Sequence, residues 1–171
     1  SSLTKVVLPQ SVKRLGENAF SRCSGLTSVS VGNGAVALGA RAFYECALLS
    51  EVSLGSSLVS VGESAFYGCT SLTRLILPNR LVSLGDSAFY GCTALESVTF
   101  GDGLKTIGDS AFYGCASLTA AALPAGVESI GSYAFRKCTA LTGIFLGNEL
   151  RSVGSYAFQD CENLTIYSEG A

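Results

Sequence analysis

Residues 76–98 read ILPNRLVSLGDSAFYGCTALESV, and residues 99–118 read TFGDGLKTIGDSAFYGCASL. When the two stretches are aligned on their shared SAFYGC segment, apolar residues, glycine and cysteine recur after 23 residues. The period runs through the chain, since cysteine stands at every 23rd position from Cys23 to Cys161 and phenylalanine from Phe20 to Phe158. A fixed period of this length is typical of a solenoid, in which each repeat forms one coil.

Counting each repeat from a leucine as position 1 gives seven full repeats and one partial repeat. The full repeats are 3–25, 26–48, 49–71, 72–94, 95–117, 118–140 and 141–163, and a partial closing strand is expected at 164–167. We therefore predict a single domain over residues 1–171. Ser1 and Ser2 fill the last two positions of a missing coil, so we expect a further repeat or a partner to cover the N-terminal end.

The first half of each repeat alternates apolar and variable residues. Positions 4 and 6 are apolar, as in Leu75 and Leu77 or Val98 and Phe100, whereas positions 3 and 5 vary. This period of two predicts a short strand with one buried face. Proline or glycine at position 7 ends the strand.

The second half of each repeat has a different spacing. Ile107, Ala111, Phe112 and Cys115 would share one face of a short helical turn, and Asp109 before Ser110 is a favourable helix start. Stacked coils would pair their strands about 4.8 Å apart in a parallel sheet. The pattern thus predicts an α/β repeat solenoid, an arc with the sheet on its concave face and helical turns on its convex face.

The two quoted stretches resemble the BspA-like (Treponema pallidum type) leucine-rich repeats, and the resemblance extends from Leu3 to about Tyr167. It implies a leucine-rich-repeat arc in a surface-exposed protein that binds host or extracellular-matrix molecules, other cells or other proteins. It therefore implies a cell-surface or extracellular location, although a cytoplasmic or organellar assembly stays open. The family has no shared catalytic residues to transfer.

Composition excludes several classes of function. Among 171 residues 48% are hydrophobic and 14% charged, the net charge is −2, and no basic stripe is present to neutralise phosphates, which argues against nucleic acid. The longest apolar stretch, around Ala120–Leu123, is far too short for membrane insertion. The chain lacks histidine, the commonest general base and metal ligand. We therefore predict no enzyme, no catalytic residues, no metal and no cofactor.

The seven cysteines favour a packing role. Zinc sites use closely spaced pairs, a disulfide framework usually has an even count, and a nucleophile needs a neighbouring base. None of these patterns is present. Because equivalent positions stack with their side chains parallel, we expect the cysteines to be small hydrophobic groups in the core.

Positions 3 and 5 vary, so no packing rule fixes them, and their side chains are expected to project from the sheet. Arginine and aromatic residues beside small polar ones are what protein interfaces favour. An ordinary solvated face with scattered charges is the alternative. The predicted partner-binding residues, which include one at position 2, are Lys5, Glu51, Arg74, Ile76, Glu96, Thr99 and Phe145.

A tyrosine follows the core phenylalanine in four consecutive repeats, and in repeats six and seven it moves to Tyr133 and Tyr156. The four could form an exposed aromatic stripe for a protein or glycan on the convex side. Alternatively, each tyrosine covers its neighbour's turn, which is the interpretation we favour. The stripe consists of Tyr44, Tyr67, Tyr90 and Tyr113.

These patterns predict a non-catalytic protein-interaction module, an adhesin-like fragment that binds a protein partner through its concave sheet. A glycan is the less favoured partner. The alternative is a structural scaffold subunit docked into a larger assembly through its ends or its convex face.

Overall fold

The computed structural model describes residues 3–168, so Ser1 and Ser2, and with them the expectation about a missing coil, lie outside the described residues. Each coil contributes a long strand at repeat positions 3–5. These strands are β1 (Lys5–Val7), β3 (Ser28–Ser30), β5 (Glu51–Ser53), β7 (Arg74–Ile76), β9 (Ser97–Thr99), β11 (Ala120–Ala122), β13 (Gly143–Leu146) and β15 (Thr165–Ser168). Together they form what we call the long-strand face.

The alternation at positions 3–5 is confirmed as a strand with one buried side. In β7, Leu75 is buried between exposed Arg74 and Ile76. Neighbouring long strands are parallel and in the register of the repeat, as in Arg74 beside Ser97 and Ile76 beside Thr99. The chain is a parallel-sheet solenoid of about seven coils of roughly 23 residues.

A second, shorter strand at positions 12–13 was not predicted. The short strands are β2 (Arg14–Leu15), β4 (Ala37–Leu38), β6 (Ser60–Val61), β8 (Ser83–Leu84), β10 (Thr106–Ile107), β12 (Ser129–Ile130) and β14 (Ser152–Val153). All seven pair in one continuous parallel sheet, the short-strand sheet. Six of them have one buried residue, such as Leu84 of β8, whereas both residues of β14 are exposed.

The predicted helical turns are wrong, because residues 3–168 contain no helix. Positions 16 and 20 of every coil have positive φ, for example Ser87 at 54° and Gly91 at 68°. This left-handed backbone interrupts an α-helix and turns the N–H groups toward the next coil. Ser87 donates to the carbonyl of Asp109 at 2.7 Å, and Phe89 to that of Ala111 at 2.8 Å. Consecutive turns joined coil to coil in this way form the third side, the turn face.

The aspartates expected to start helices instead join coils. The Asp86 carboxylate accepts a hydrogen bond from the N–H of Asp109 at 2.8 Å, and the Asp109 carboxylate accepts one from Ser132 at 2.6 Å. An N-cap residue would bond within its own turn. The side chain is the one a helix start prefers, but its hydrogen bond crosses to the following repeat.

The core is a stack of phenylalanine rings beside a row of cysteines. From Phe20 to Phe158 the rings stack on their neighbours at 5.1–5.7 Å between centroids. The five middle rings are fully buried. This arrangement gives each of the five inner coils a stacked ring on both sides.

The cysteines are free thiols, five of them buried and the terminal two partly buried, as the packing interpretation requires. The Cys92 thiol donates to the Phe66 carbonyl at a sulfur–oxygen distance of 3.3 Å, and four other buried thiols and Cys161 repeat this bond. Burial raises the pKa of Cys92 to about 12. The thiol therefore stays protonated near neutral pH, as suits a packing group.

Glycine at position 14 permits the coils to approach closely. A Cβ atom added to Gly85 would lie 2.6 Å from the backbone nitrogen of Glu63 in the preceding coil. At Gly16, in the first coil, an added Cβ would meet nothing within 4 Å. Glycine is thus needed at position 14 because the preceding coil lies too close for a Cβ atom.

Among residues 3–168, no helix offers the length and apolar character needed to span a bilayer.

Candidate interaction surface

The predicted partner-binding residues lie exposed along the long-strand face. Lys5, Glu51 and Arg74 occupy position 3 of their coils, Ile76, Thr99 and Phe145 occupy position 5, and Glu96 immediately precedes β9. Ile76 is 69% exposed and Phe145 is 53% exposed.

The structure brings most of these residues together around β7. One cavity of about 510 Å³ is lined by Lys5, Glu51, Arg74 and Ile76, among others. A second, of about 830 Å³, shares Arg74 and Ile76 and adds Glu96 and Thr99. Phe145 lies apart on β13, where its ring stacks on that of Tyr167 at 4.9 Å.

The long-strand face is divided between the third and fourth coils. Strands β1, β3 and β5 form one sheet, and β7, β9, β11, β13 and β15 form another, so β5 and β7 are not paired. On the other two sides the same coils remain joined. Ser60 of β6 pairs with Ser83 of β8, and the N–H of Phe66 donates to the carbonyl of Ala88 at 2.8 Å. The coils thus separate along one side only.

The hydrogen bonds confirm this division. At equivalent positions, Leu8 donates to Ser30, Val31 to Ser53, and Leu77 to Thr99, at 2.8–2.9 Å. Within residues 3–168, the N–H of Leu54 makes no such bond to the carbonyl of Ile76. The equivalent bond from Phe100 to Ala122 is also absent, but there β9 and β11 still pair at Ser97 and Ala120. Backbone donors and acceptors are therefore left free along the facing edges of β5 and β7.

Hydroxyl groups at position 2 show the same interruption. The Thr27 hydroxyl donates to the Thr4 carbonyl at 3.0 Å and the Ser50 hydroxyl to the Thr27 carbonyl at 3.3 Å. In the described part of the chain, Thr73 does not continue this relay to Ser50. The relay is present again at Thr119.

Apolar groups are uncovered at the division. Val52 is half-buried, whereas the equivalent Val29 and Leu75 are 1% and 2% exposed. Leu54 is also half-buried. Ile76 stands beside them with most of its side chain in solvent.

Two unpaired charges stand on opposite sides of the division. Glu51 on β5 and Arg74 on β7 occupy the same repeat position, yet neither forms an ion pair among the described residues. On the turn face, by contrast, neighbouring coils are linked by pairs such as Arg22–Glu45 at 3.0 Å. Both charges on the long-strand face remain available to a partner.

The tyrosine stripe lies half-buried on the turn face, with its rings stacked on one another. Centroid distances are 4.9 Å for Tyr44–Tyr67, 4.7 Å for Tyr67–Tyr90 and 4.6 Å for Tyr90–Tyr113. Because each inner ring covers the faces of its neighbours, a ligand meets ring edges and hydroxyls. Burial, followed by the neighbouring Tyr113, raises the pKa of Tyr90. This geometry favours a packing role for the stripe over a stacking platform for glycans.

Comparison with solved structures supports the fold described above. The Treponema pallidum leucine-rich repeat protein superposes with a TM-score of 0.89 at 30% identity, over 96% of this chain and 79% of its own. A leucine-rich repeat protein of Bacteroides ovatus gives a TM-score of 0.60 at 22% identity, over 96% of this chain and 64% of its own. One of Eubacterium ventriosum gives 0.53 at 18% identity, over 95% and 65%. This chain spans less than two thirds of the latter two proteins, which resemble it in fold alone.

A comparison with curated proteins finds no match. The family model for the BspA type leucine rich repeat region matches residues 1–119 and 61–168, with six copies. The resemblance noted in the sequence is thereby confirmed, and it indicates an interaction scaffold and no catalytic family. On the strength of the repeat, the fold and this match, the chain belongs to the BspA-type leucine-rich repeat family.

Proposed function

We propose that this chain is a non-catalytic module that binds a protein partner through its long-strand face, as part of a surface-displayed or secreted adhesin-like protein. Leucine-rich repeats of this family generally act in protein interaction. Binding through the long-strand face and the adhesin-like role are more specific than this general role.

The observation that carries the proposal is the exposure of apolar and charged side chains outside the buried core of the solenoid. Ile76 is 69% exposed and Phe145 53%, on a face where the core takes only the alternate residues. Arg74 and Glu51 have no opposite charge to satisfy them within the described residues. Exposed aliphatic, aromatic and arginine side chains grouped on one surface are typical of binding energy hot spots.

The location is supported by the family, whose members are often surface proteins. A stable solenoid with a long exposed sheet suits display outside the cell, where large partners are met. The buried thiols are compatible with such a site because burial keeps them protonated and unreactive.

The test measures binding of the purified chain to a panel of immobilised extracellular-matrix proteins. The variant Arg74→Glu plus Phe145→Ala reverses one charge and removes one exposed ring on the long-strand face. We expect it to weaken any binding shown by the wild type by at least about tenfold, since hot-spot substitutions typically cost over 1 kcal/mol.

A matched control makes the same two kinds of change, one charge reversal and one apolar truncation, outside the long-strand face. Lys13→Glu plus Val82→Ala, both at repeat position 11 and both exposed, reverses one charge and trims one apolar side chain away from the long-strand face. Wild-type affinity is expected for this pair. Equal binding by both double variants would contradict the proposed face, and loss only with substitutions in the tyrosine stripe would favour the scaffold role.

A further inference from the structure

The stacked rings of Phe145 and Tyr167 leave one ring face uncovered on the long-strand face. The two residues are paired on β13 and β15, with 4.9 Å between ring centroids and 17° between ring planes. Tyr167 therefore covers the side of the Phe145 ring that is turned toward the C-terminus. On the other side the paired residue is Ala122, whose methyl group is too short to cover a phenyl ring. Phe145 is accordingly 53% exposed.

The space above Ala122 has room for one planar group. The next residue at repeat position 5 is Thr99 in the fifth coil, so Phe145 and Thr99 stand two strand spacings apart, about 9.6 Å. The chain's own rings stack at centroid distances from 4.6 to 5.7 Å, and a planar group stacked on Phe145 at such a distance fits this space. The ring pair lies against the sheet, since a Cβ atom added to Gly143 would be 3.4 Å from the Tyr167 ring.

The charged residues on this part of the long-strand side are all acidic. In the fifth to seventh coils and the closing strand, repeat positions 1–8 contain two acids, Glu96 and Asp102, and no base. Residues 95–168 carry four bases and seven acids in all, a net charge of 4 − 7 = −3. The four bases lie at repeat positions 11, 19 and 20, away from the long strands, and are Lys105, Arg136, Lys137 and Arg151. A cation is therefore the complementary group for this surface.

The tyrosine stripe shows how this chain covers the end faces of an exposed ring stack. The Arg22 guanidinium lies over Tyr44, the first ring of the stripe, at 5.8 Å from the ring centroid. The Arg136 guanidinium lies over Tyr113, the last ring, at the same distance. Within residues 3–168, no base lies over Phe145 in this way. Aromatic faces attract cations, and a guanidinium stacks on them readily because it is flat and weakly hydrated.

We infer that the uncovered face of Phe145 binds an arginine side chain of the partner protein, whose guanidinium stacks on the ring in the space above Ala122. The inference deepens the proposed function and rests on it. An aromatic side chain would also stack on this ring, but it would gain nothing from the negative charge of the surrounding coils.

The test uses phage-displayed random dodecapeptides, selected on the wild-type chain after depletion on the Ala122→Ile variant. Isoleucine fills the space beside the Phe145 ring, and it already occupies the same repeat position as Ile76, so the variant is expected to keep its fold. The selected peptides should share an arginine. In synthetic peptides, replacing that arginine by its uncharged analogue citrulline, or by tyrosine, should weaken binding about fivefold or more.

Phe145→Leu separates the aromatic face from the apolar surface, because leucine keeps an apolar side chain without a ring. This variant should bind the arginine peptides about fivefold or more weakly than the wild type, whereas the citrulline peptides should bind both proteins alike. The matched control for Ala122→Ile is Ser53→Ile, which enlarges an exposed residue at the same repeat position in the third coil. It should bind the arginine peptides with wild-type affinity. Thermal unfolding verifies the fold of all three variants.

If Phe145→Leu fails to fold, proton NMR of a bound arginine peptide on the wild type decides, because arginine δ-methylene protons above a ring face must shift upfield. The inference would be overturned by selected peptides without arginine, by equal binding of the citrulline or tyrosine peptides, by unchanged affinity of folded Phe145→Leu, or by absence of the upfield shift.

The proposed function is judged separately, by matrix-protein binding of Arg74→Glu plus Phe145→Ala. If that binding is lost while the arginine peptides fail the tests above, the proposed function stands without the arginine contact. If the arginine peptides behave as expected while matrix-protein binding is unaffected, the arginine site exists and the proposed function fails.

Discussion

At the scale of the residue, Cys92 shows why the cysteine row is retained in every coil. Its thiol is fully buried against the phenylalanine stack and donates to the carbonyl of Phe66. A neutral thiol fills this small space and donates a second hydrogen bond to a carbonyl that already accepts one from the N–H of Cys69 at 3.2 Å. Ionisation of the thiol at this position is unfavourable because the buried thiolate would lose its hydration.

This burial makes stability sensitive to alkaline pH. The pKa of Cys92 is about 12 in the fold against an ordinary value of 9.0, so between those values the unfolded chain loses a proton that the folded chain keeps. Unfolding free energy should be unaffected by this group below pH 9, then fall as pH rises, by about 1.4 kcal/mol per pH unit per buried thiol. Urea unfolding at a series of pH values from 8 to about 11 measures this slope, because the free energy of unfolding should begin to fall near the ordinary thiol pKa of 9.0.

The Cys92→Ala variant is the comparison for that slope. It removes one titrating group, so its stability should decline less steeply above pH 9 than that of the wild type. At neutral pH it should be less stable, by about 1 kcal/mol, because the space left by sulfur is empty. Parallel pH profiles for the two proteins would show that this thiol is not held protonated by the fold.

Much at this scale could be predicted from the sequence. The constant Phe and Cys positions predict the core, and the varying positions predict which side chains reach solvent, as for Arg74 and Ile76. The missing pairing between β5 and β7 beside them could not be predicted. Every repeat has the same length, and nothing in the strand Glu51–Ser53 distinguishes its pairing edge from that of Ser28–Ser30.

At the scale of the element, the turn face explains why the helical interpretation failed. The spacing of Ile107, Ala111, Phe112 and Cys115 is also met by consecutive turns, which place the same residues inward. Spacing alone does not reveal that Ser110 has a φ of 55°. The short strands were missed for a related reason, because one inward residue in a strand such as Thr106–Ile107 gives no alternation to detect.

The glycines at position 14 give a test of coil-to-coil packing. Gly85→Ala would place a Cβ atom 2.6 Å from a backbone nitrogen of the preceding coil, which no side-chain movement can relieve. We expect a loss of about 2 kcal/mol or more in unfolding free energy. Denaturant unfolding measures this loss. The dependence of the unfolding free energy on denaturant concentration should be the same in both proteins if each unfolds in a single transition.

Gly16→Ala is the matched control, since it occupies the same repeat position and meets nothing within 4 Å. It should be neutral or slightly stabilising, because alanine restricts the unfolded chain more than glycine does. Equal losses in the two variants would mean that backbone conformation, rather than the approach of coils, requires glycine here.

At the scale of the whole molecule, each coil contacts only its neighbours, so stability depends on the interfaces between coils. The interface between the third and fourth coils lacks the long-strand pairing. We therefore expect Phe43→Ala, which removes a fully buried ring stacked on Phe20 and Phe66, to unfold the first three coils before the rest. Hydrogen-exchange mass spectrometry should show lost protection before residue 54 and retained protection from 73 to 146.

Phe89→Ala, in the fourth coil, is the companion variant. Its ring is equally buried and is stacked on both sides, so a similar cost of about 3–5 kcal/mol is expected. Here protection should be lost from 73 onward, while the first three coils keep theirs in part. Uniform loss on both sides of the division, in both variants, would show that the solenoid unfolds as one unit.

The turn face has an electrical polarity of its own. At all six coil-to-coil steps, three N–H groups of one coil donate to carbonyls of the next coil toward the C-terminus, and none of the three runs in reverse. Aligned peptide dipoles add, as they do along an α-helix, so the partial positive pole lies at the seventh coil and the negative pole at the first. The formal charges oppose these poles: residues 3–25 carry four bases and one acid, a net of 4 − 1 = +3, and residues 141–163 carry one base and three acids, a net of 1 − 3 = −2. The charges of the end coils thus oppose the field of the turn face, which is also reduced by N–H groups that donate to the preceding coil, such as that of Gly85 to the carbonyl of Val61 at 2.8 Å.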